Sequence, residues 1–498
     1  MKSRNPENDK ILRRKKAKKS KKVCRILAVI QLLLSVAFMG LVAFMGMLPE
    51  VYLMIAGALL FVFVFISFAL GHGRKTRTFG KIWSILISLA MIAGLYYVGV
   101  GNGALSAITG NTIQTIEVSV LVLEEDSAKS LSDVKDYRFG ISKTVDRTNT
   151  DKAIASIEKK TKNALNYKAY KDYNTMVSAL YHKKVKAIIF NEAFRGQFEE
   201  EYENFSKETR VIKTFTYKQI IKNTGNVSVT KEPFIVFLSG NDQTGAVSTT
   251  GRSDVNLLAV VNPTTKQVLL ISTPRDSYVE LVDPSGNIGS GNMDKLTHAG
   301  NFGVDVSMST LGGLYGCQID YYVMLNFSGF ENIINALGGI TIDCEESFTS
   351  VDGMTYKAGT QSMDGIHALN YARERKAFAD GDLARNRHET QVMTAIIDKM
   401  LSPAILSNYA TLMEGAKDSF RTSLESSDIT ALVRMQLKDS ADWNIKSYHV
   451  TGSSARNYTY SISSSQVSTV VLDEDSVSTA SSLIQKVLSG ATISDRDV

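Results

Sequence analysis

Three long apolar stretches near the N-terminus constrain the fold of this chain more than any other feature. They run over Ile26–Leu48, Val51–Gly71 and Ile82–Gly101, and none of them contains a charged residue. Each has the roughly 20 residues that a helix needs to cross the hydrocarbon core of a bilayer. A buried helical hairpin in a soluble protein is the alternative, but three such stretches in succession are too apolar for it. The sequence therefore predicts three transmembrane helices.

Positive charge indicates how these helices are oriented. Residues 1–25 form an arm with twelve Lys and Arg residues against Glu7 and Asp9, and the loop His72–Lys81 carries four basic residues and no acidic one. Basic loops stay on the cytoplasmic side of a membrane. We therefore expect the arm and this loop in the cytoplasm and everything after Gly101 outside. No small-residue cleavage site follows the arm, which favours an uncleaved anchor over a signal peptide.

The predicted outer portion is net acidic. The arm and the second loop carry sixteen basic residues against two acidic ones, yet the whole chain has a formal charge of only +6. An acidic portion is unsuited to binding the phosphate backbone of nucleic acid, so nucleic acid is not expected as a partner. Cys317 and Cys344 lie in this portion, and either a disulfide or two buried thiols would fit. No His and Cys spacing suggests zinc.

The outer portion divides into two parts. Residues 101–111 (GNGALSAITGN) are polar and Gly-rich and are typical of a short linker. Over residues 103–228, strand-like stretches such as Val118–Leu123 and Lys186–Phe190 alternate with helical spacing, which predicts a small α/β accessory domain. We find no triad, metal cluster or phosphate loop in it, and we expect it to position other elements or to bind a partner.

A second α/β domain is predicted over residues 232–490. PFIVFLSG is typical of a buried strand, and VNLLAVVNPTTKQVLLIS indicates two strands around an Asn-Pro-Thr-Thr turn. FENIINALGGITIDC predicts a helix followed by a strand, and Ala384–Leu401 has the spacing of an amphipathic helix. The Ser-rich final ninety or so residues are expected to complete this domain and to end in a polar tail.

Four polar clusters lie at predicted strand ends and turns of this second domain. They comprise Asp242, Arg252 and Asp254; Arg275 and Asp276; Asp294, Lys295, Thr297 and His298; and Arg373, Arg375, Lys376, Arg385 and Arg387 around Asp380 and Asp382. Each cluster alone is typical of a solvated surface. Ligands of α/β sheets, however, bind outside the ends of the strands, and four such clusters in one domain favour a site.

The chemistry that such clusters would serve is pyrophosphate transfer. Planar guanidinium groups bind phosphate oxygens in pairs and keep their charge when desolvated. Interleaved carboxylates keep the arginines from repelling one another, can hold Mg²⁺, and could take a proton from an attacking hydroxyl. No GK[ST] or HExxH pattern occurs, so a P-loop enzyme or a zinc hydrolase is not expected. His298 is expected to be structural rather than a proton carrier.

Several long stretches of this domain resemble one known family. GRSDVNLLAVVNPTTKQVLLISTPRDSYVEL, DKLTHA, YYVMLNFSGFENIINALGGITIDC and GIHALNYARERKAFADGDLARNR occur in the right order, and together they resemble the LytR–CpsA–Psr family of wall-polymer ligases. The resemblance is strong over residues 232–401. Three membrane spans and an accessory α/β domain are similar to the layout of the streptococcal capsule-attaching members.

The resemblance implies a fold and an activity. The fold is an α/β/α sandwich with an apolar tunnel for a prenyl chain. The activity is transfer of a capsular or other glycopolymer from a polyprenyl-pyrophosphate carrier to a sugar hydroxyl of peptidoglycan. It would use Mg²⁺ or Mn²⁺, with the catalytic domain outside the cell membrane of a Gram-positive bacterium. Membrane lipid and other capsule-assembly membrane proteins are further implied partners.

The resemblance also implies roles for particular residues. By motif position, Asp242 and Asp254 would hold the metal, and Asp276 and Lys295 would belong to an outer shell. The pyrophosphate would be held by five arginines, which are Arg252, Arg275, Arg373, Arg375 and Arg385. Among them, Arg275, Arg373 and Arg375 are predicted to be catalytic together with Asp382, which would orient the arginines.

The chain departs from the family pattern at one point, and two other functions stay open. His388 and Glu389 stand where the family commonly has Arg-Gln or Asn-Gln, so Glu389 is left outside the predicted site. Gln391 could substitute only from another side of the helix. The first alternative function is a membrane-anchored polyprenyl-pyrophosphate phosphohydrolase, since the same site would serve it. The second is a non-enzymatic regulator or scaffold of capsule synthesis.

Overall fold

The structure, a computed structural model, falls into two units. It describes residues 6–111, 113–221, 225–241, 247, 249–379, 381–402, 404–417 and 420–498. The first unit comprises Met1–Ala107, Leu406–Glu414 and Ser426–Ala441, and the second comprises Ile108–Ile405, Gly415–Glu425 and Asp442–Val498.

Three long helices make up most of the first unit. They are α1 (Pro6–Met45), α2 (Glu50–His72) and α3 (Arg77–Ile108), and within the described residues these three are long and apolar enough to cross a membrane. Large apolar side chains such as Phe61 and Phe65 are exposed, as lipid-facing residues would be. The side-chain oxygen of Gln31 on α1 accepts hydrogen bonds from Ser67 on α2 and Ser84 on α3. Such polar contacts hold apolar helices together where no hydrophobic effect acts between them.

The linker predicted over residues 101–111 is helical through Ile108, so that part of the prediction is wrong. Its apolar residues explain the difference, because Ala104 and Leu105 are both buried. Burial of an apolar face outweighs the weak helix propensity of Gly101 and Gly103.

The second unit begins with a five-stranded sheet. Its elements are β1 (Ile113–Leu123), α4 (Leu131–Val134), β2 (Phe139–Ser142), α5 (Arg147–Thr161), β3 (Tyr167–Tyr170), α6 (Tyr173–Tyr181), β4 (Ala187–Asn191), α7 (Arg195–Glu201), α8 (Phe205–Glu208) and β5 (Thr209–Ile220). The strand order is β3-β2-β4-β1-β5. Strand β2 is parallel to β3 and β4, whereas β1 is antiparallel to β4 and β5.

The rest of the unit is built on a six-stranded sheet. The first half contains β6 (Phe234–Asn241), β7 (Val255–Asn262), β8 (Gln267–Ser272), β9 (Tyr278–Glu280), β10 (Met293–Lys295), α9 (Leu296–Phe302), α10 (Val304–Tyr315), β11 (Tyr321–Asn326), α11 (Phe327–Ala336), β12 (Ile340–Cys344), β13 (Phe348–Thr349), β14 (Thr355–Tyr356) and β15 (Gly359–Met363). The second half contains α12 (Gly365–Arg373), α13 (Asp382–Leu401), β16 (Phe420–Thr422), β17 (Asn444–His449), β18 (Gly452–Asn457), β19 (Val467–Leu472) and α16 (Glu474–Leu488). Two helices in this stretch of the chain, α14 (Ala404–Ala416) for most of its length and α15 (Ser426–Asp439), belong to the first unit.

This sheet has the order β16-β11-β6-β7-β8-β17 and mixed strand directions. Strands β6 and β11 are parallel, as are β8 and β17, while β7 runs antiparallel to both β6 and β8. The end of β6, the start of β7 and the ends of β8 and β11 therefore lie at one edge of the sheet. Described residues of the predicted clusters lie at that edge, among them Asp254 and Arg275.

Helices cover both faces of the sheet. Phe237 on β6 belongs to a core with Leu311 of α10 and Ile484 of α16. The next residue, Leu238, lines a cavity on the other face beside α11, α12 and α13. This alternation of neighbouring side chains is what a strand buried on two faces requires. The mixed α/β sandwich predicted from the sequence is confirmed.

The C-terminal end differs from the predicted polar tail. Ile493 is buried, and its amide donates a hydrogen bond of 2.8 Å to Gln267 on β8. The tail is thus part of the domain, because an apolar residue and a buried amide hold it there. Cys317 and Cys344 are both free thiols, which resolves the alternative left open by their spacing.

Candidate active site

A buried ion pair lies at the centre of the sheet edge that carries the clusters. Arg275 follows β8 and Asp254 precedes β7, and Nη1 of Arg275 donates a hydrogen bond of 2.7 Å to Oδ1 of Asp254. The side chain of Asp254 is only 2% exposed. Antiparallel pairing of β7 with β8 places both residues at the same edge, which explains why residues so far apart in sequence meet.

Three guanidinium groups act on this carboxylate. Burial alone would raise the pKa of Asp254, but the charges of Arg252, Arg275 and Arg385 hold that pKa below its usual value. Arg252 is buried on the segment before β7, and Arg385 lies in the first turns of α13. The structure therefore brings together four of the predicted site residues, and their combined charge is positive.

Arg385 has a second partner that was left outside the predicted site. Its Nε donates a hydrogen bond of 2.7 Å to Oε1 of Glu389, whose side chain is 8% exposed. Burial outweighs the attraction of Arg385 and raises the pKa of Glu389 to about 7. The spacing of four residues on one helix could have revealed this pair. Gln391 lies elsewhere, since it bonds Tyr371 and Glu345 and cannot take the place of Glu389.

Arg373 completes one side of the site at the end of α12. Its guanidinium lies 4.3 Å from the ring centre of Phe327, the first residue after β11. Such stacking fixes the plane of the guanidinium while leaving its N–H groups available. Phe327 is a site residue that sequence reasoning missed, because nothing in a single Phe signals such a contact.

A small apolar cavity adjoins these charges. Its volume is about 50 Å³, and Arg373, Arg385 and Glu389 line it together with residues that are otherwise mostly apolar. The apolar lining comprises Leu238, Val255, Leu325, Phe327, Phe330, Leu369, Ala372 and Met393. A charged group and an apolar chain could thus be bound side by side, which is the arrangement that an amphiphilic ligand needs.

The structure locates some of the remaining predicted residues, while others lie outside the described part of the chain. Asp276 and Lys295 form an ion pair of 3.2 Å beside the site. Arg375 is exposed on the turn after α12, where Glu374 accepts hydrogen bonds from three successive backbone amides, and its role stays a prediction. Asp242 lies outside the described residues, and so does the side chain of Asp382, although its backbone begins α13.

His298 lies in a buried cluster with Asp294 and Ser461. Nδ1 of His298 is 2.7 Å from Oδ1 of Asp294 and 3.1 Å from Oγ of Ser461. In a hydrolase triad the two partners contact opposite ring nitrogens, whereas here both contact Nδ1. This arrangement favours a structural role for His298 in α9, as expected from the sequence.

One carboxylate oxygen of the site fits the predicted metal. Within the described residues Oδ2 of Asp254 is buried and accepts no hydrogen bond, which leaves it available as a ligand. Mg²⁺ needs only one or two carboxylates when substrate phosphates and water supply the other oxygens. A group of three or more His, Cys, Asp and Glu residues suited to a metal does not occur in the described part of the chain. The donor set thus suits Mg²⁺ and not a closed structural site.

Comparisons with known proteins agree with these features. The chain is 37% identical over 202 residues to a polyisoprenyl-teichoic acid–peptidoglycan teichoic acid transferase TagU of Enterococcus faecalis, covering 40% of this chain and 64% of the relative. It is 34% identical to TagU of Bacillus mycoides, covering 39% and 61%. The chain thus spans less than two thirds of the length of these relatives.

Solved structures and family models give further matches. B. subtilis TagV is 26% identical with a TM-score of 0.43, covering 53% of this chain and 99% of that one. A structure described as TagT bound to LI-WTA is 26% identical with a TM-score of 0.42, covering 53% and 94%. A model of a DNA polymerase processivity factor matches residues 74–190, less than half of the chain. The model of the LytR_cpsA_psr family matches residues 193–475, more than half of the chain, so the chain belongs to the LytR–CpsA–Psr family.

Proposed function

We propose that this protein transfers a glycopolymer from a polyprenyl-pyrophosphate carrier to a sugar hydroxyl of peptidoglycan. The observation that carries this proposal is the cluster of Arg252, Arg275 and Arg385 around Asp254, of which Arg385 also lines an apolar cavity. The names of the similar TagU proteins, which are teichoic acid transferases acting on peptidoglycan, support it further. Capsular polysaccharide is the polymer that we propose for this chain, on the resemblance described above.

The arginines would bind the two phosphates of the carrier. Three guanidinium groups in a buried position attract oxyanions strongly, because little water screens them. Arg373, held by Phe327, would bind from the cavity side. The first carbons of the prenyl chain would enter the apolar cavity beneath. The carrier is thereby oriented with its sugar-bearing phosphate towards the acceptor.

Transfer breaks the bond between the bridging oxygen and the phosphorus that carries the sugar. The acceptor hydroxyl attacks that phosphorus, and prenyl phosphate leaves. The arginines would stabilise negative charge that develops on the leaving phosphate. Asp254 would hold Mg²⁺ through Oδ2, and the ion when bound supplies further neutralisation of phosphate charge. A carboxylate of the site would receive the proton of the attacking hydroxyl. Glu389, which accepts a hydrogen bond from Arg385, is one such carboxylate.

The proposed location follows from the helices. Helices α1 to α3 would anchor the chain in the cell membrane with the arm inside, so that the second unit lies outside the cell. The site would then lie on the same side of the membrane as a carrier lipid in the outer leaflet. Membrane lipid is therefore a proposed partner, in addition to peptidoglycan and the carrier.

Product analysis tests the proposal. The full-length protein in lipid vesicles would be given a polyprenyl-pyrophosphate-linked oligosaccharide, peptidoglycan and Mg²⁺. We expect oligosaccharide covalently bound to peptidoglycan, with prenyl phosphate released in equal amount. Arg275→Ala should abolish this product, whereas the exposed Arg456→Ala serves as a matched control and should not. Free oligosaccharide phosphate without attachment would indicate the phosphohydrolase instead, and no reaction would favour the scaffold.

A further inference from the structure

We propose that the N-terminal α/β segment (residues 113–220) is a positioning part of the active site, and that Gly196 of this segment orients the guanidinium of Arg252. The role assigned to Arg252 rests on the proposed function. The contact itself rests on geometry alone. It gives a role to a segment in which the sequence shows no triad, metal cluster or phosphate loop.

The guanidinium of Arg252 lies flat against the backbone of α7. A carbon added at the Cβ position of Gly196 would lie 3.3 Å from Nη2 of Arg252 and 3.5 Å from both Cζ and Nε. Three guanidinium atoms at nearly equal distance mean that the plane of the group faces the glycine. Arg252 is only 6% exposed, so α7 covers one face of this arginine. A residue with a side chain would therefore require the guanidinium to shift by a few tenths of an ångström.

The segment also holds the backbone that carries Arg252. The amide of Thr250 donates a hydrogen bond of 2.8 Å to the carbonyl of Thr115 on β1, and Thr115 pairs with Thr249 in a parallel bridge. On the other side, the amide of Ser253 donates to the carbonyl of Thr297 on α9. Hydrogen bonds to strand β1 on one side and to helix α9 on the other thus hold the backbone around Arg252.

A buried loop fastens α7 to the catalytic domain. Nε2 of Gln197, the residue after Gly196, donates a hydrogen bond of 3.4 Å to Oγ of Ser461, which also contacts His298. The amide and hydroxyl of Ser463 donate to Oδ2 of Asp172 at the start of α6. The buried cluster around His298 therefore has a structural role, because it holds helix α7, which faces Arg252.

Gly196→Ala tests the inference, because a helix role and a positioning role predict opposite results. Alanine has a higher helix propensity than glycine, so a role in the helix alone predicts an unchanged or higher Tm and unchanged transfer. The proposal predicts a loss of kcat/KM on the order of tenfold without a loss of Tm. The reason is that the added methyl group would displace the guanidinium of Arg252 by a few tenths of an ångström. Glu199→Ala on the exposed side of α7 is the matched control and should leave kcat/KM unchanged.

A double-mutant cycle with Arg252→Ala separates this inference from the proposed function. Gly196→Ala should raise Tm more in the Arg252→Ala background than in the Arg252 background, because the crowded guanidinium is then absent. This readout needs no substrate, so coupling in Tm with no transfer by the wild type would refute only the proposed function. Equal changes of Tm in both backgrounds, or an unchanged kcat/KM for Gly196→Ala, would overturn the inference.

Discussion

At the scale of residues, the site is a small set of buried charges in which three arginines surround one carboxylate. The charges of Arg252, Arg275 and Arg385 act on the carboxylate of Asp254, and Arg385 also pairs with Glu389. Three guanidinium groups close to one carboxylate favour binding of a further anion. They also explain why Asp254 keeps a low pKa in spite of its burial.

The raised pKa of Glu389 predicts a pH dependence of stability. The folded protein favours the neutral acid, so it binds a proton more readily than the unfolded chain between pH 4.5 and about 7. The stabilising contribution is complete below pH 4.5 and is lost as the pH rises to about 7. We expect the Tm of the wild type to fall relative to that of Glu389→Gln over this interval. Glu346→Gln, at an exposed position, is the control. Parallel Tm curves for the wild type and Glu389→Gln would contradict the prediction.

Residues also show what the sequence could predict. Arg275 was found because a charged pair that ends an apolar strand is typical of a ligand site, and the structure places it beside Asp254. Glu389 was left out because it departs from the family pattern at that position, and its burial beside Arg385 cannot be read from the sequence. The contact of Gly196 with Arg252 joins helix α7 to the segment before β7, which are far apart in the sequence. No local pattern reveals such a contact.

At the scale of elements, the directions of strands β6 to β8 assemble the charges and helices α11 to α13 enclose the apolar cavity. The strands themselves were predictable, since runs such as Gln267–Ser272 are apolar and bounded by turn residues. The continuation of α3 to Ile108 was not, because glycines suggested a linker where buried Ala104 and Leu105 favour a helix. Tertiary burial outweighed local propensity at that point.

Filling the cavity should weaken binding of a prenyl chain without weakening binding of pyrophosphate itself. Ala372 on α12 is buried and lines the cavity, so Ala372→Leu removes space for the prenyl chain while leaving the arginines in place. We expect the affinity for a long polyprenyl pyrophosphate to fall on the order of tenfold, with the affinity for inorganic pyrophosphate unchanged. Calorimetric titration of both ligands provides the measurement. Ala358→Leu, at an exposed position, is the control, and an equal loss for both ligands would speak against a prenyl site here.

At the scale of the whole molecule, the chain has three apolar helices, and the arm before the first of them and the loop between the second and the third are both strongly basic. The proposed orientation places the N-terminal arm in the cytoplasm and the catalytic sheet outside. A site of this kind needs that orientation, because the carrier lipid and peptidoglycan meet at the outer surface of the membrane.

Topology reporters check the orientation. Alkaline phosphatase fused after Val498 should be active, since this enzyme folds only outside the cytoplasm, and a green fluorescent protein fused there should be dark. The same reporters fused within the loop His72–Lys81 should give the opposite result and serve as the control. A fluorescent C-terminal fusion would place the catalytic sheet in the cytoplasm and would exclude the proposed reaction.

The most direct test of the central claim is the affinity of the full-length protein for a prenyl pyrophosphate in the presence of Mg²⁺. The account predicts that Arg252→Ala, Arg275→Ala and Arg385→Ala each weaken binding about tenfold to a hundredfold, because each removes charge-assisted hydrogen bonds to phosphate. Arg456→Ala should bind as the wild type does. Wild-type affinity in all three site variants would show that these arginines do not hold the diphosphate.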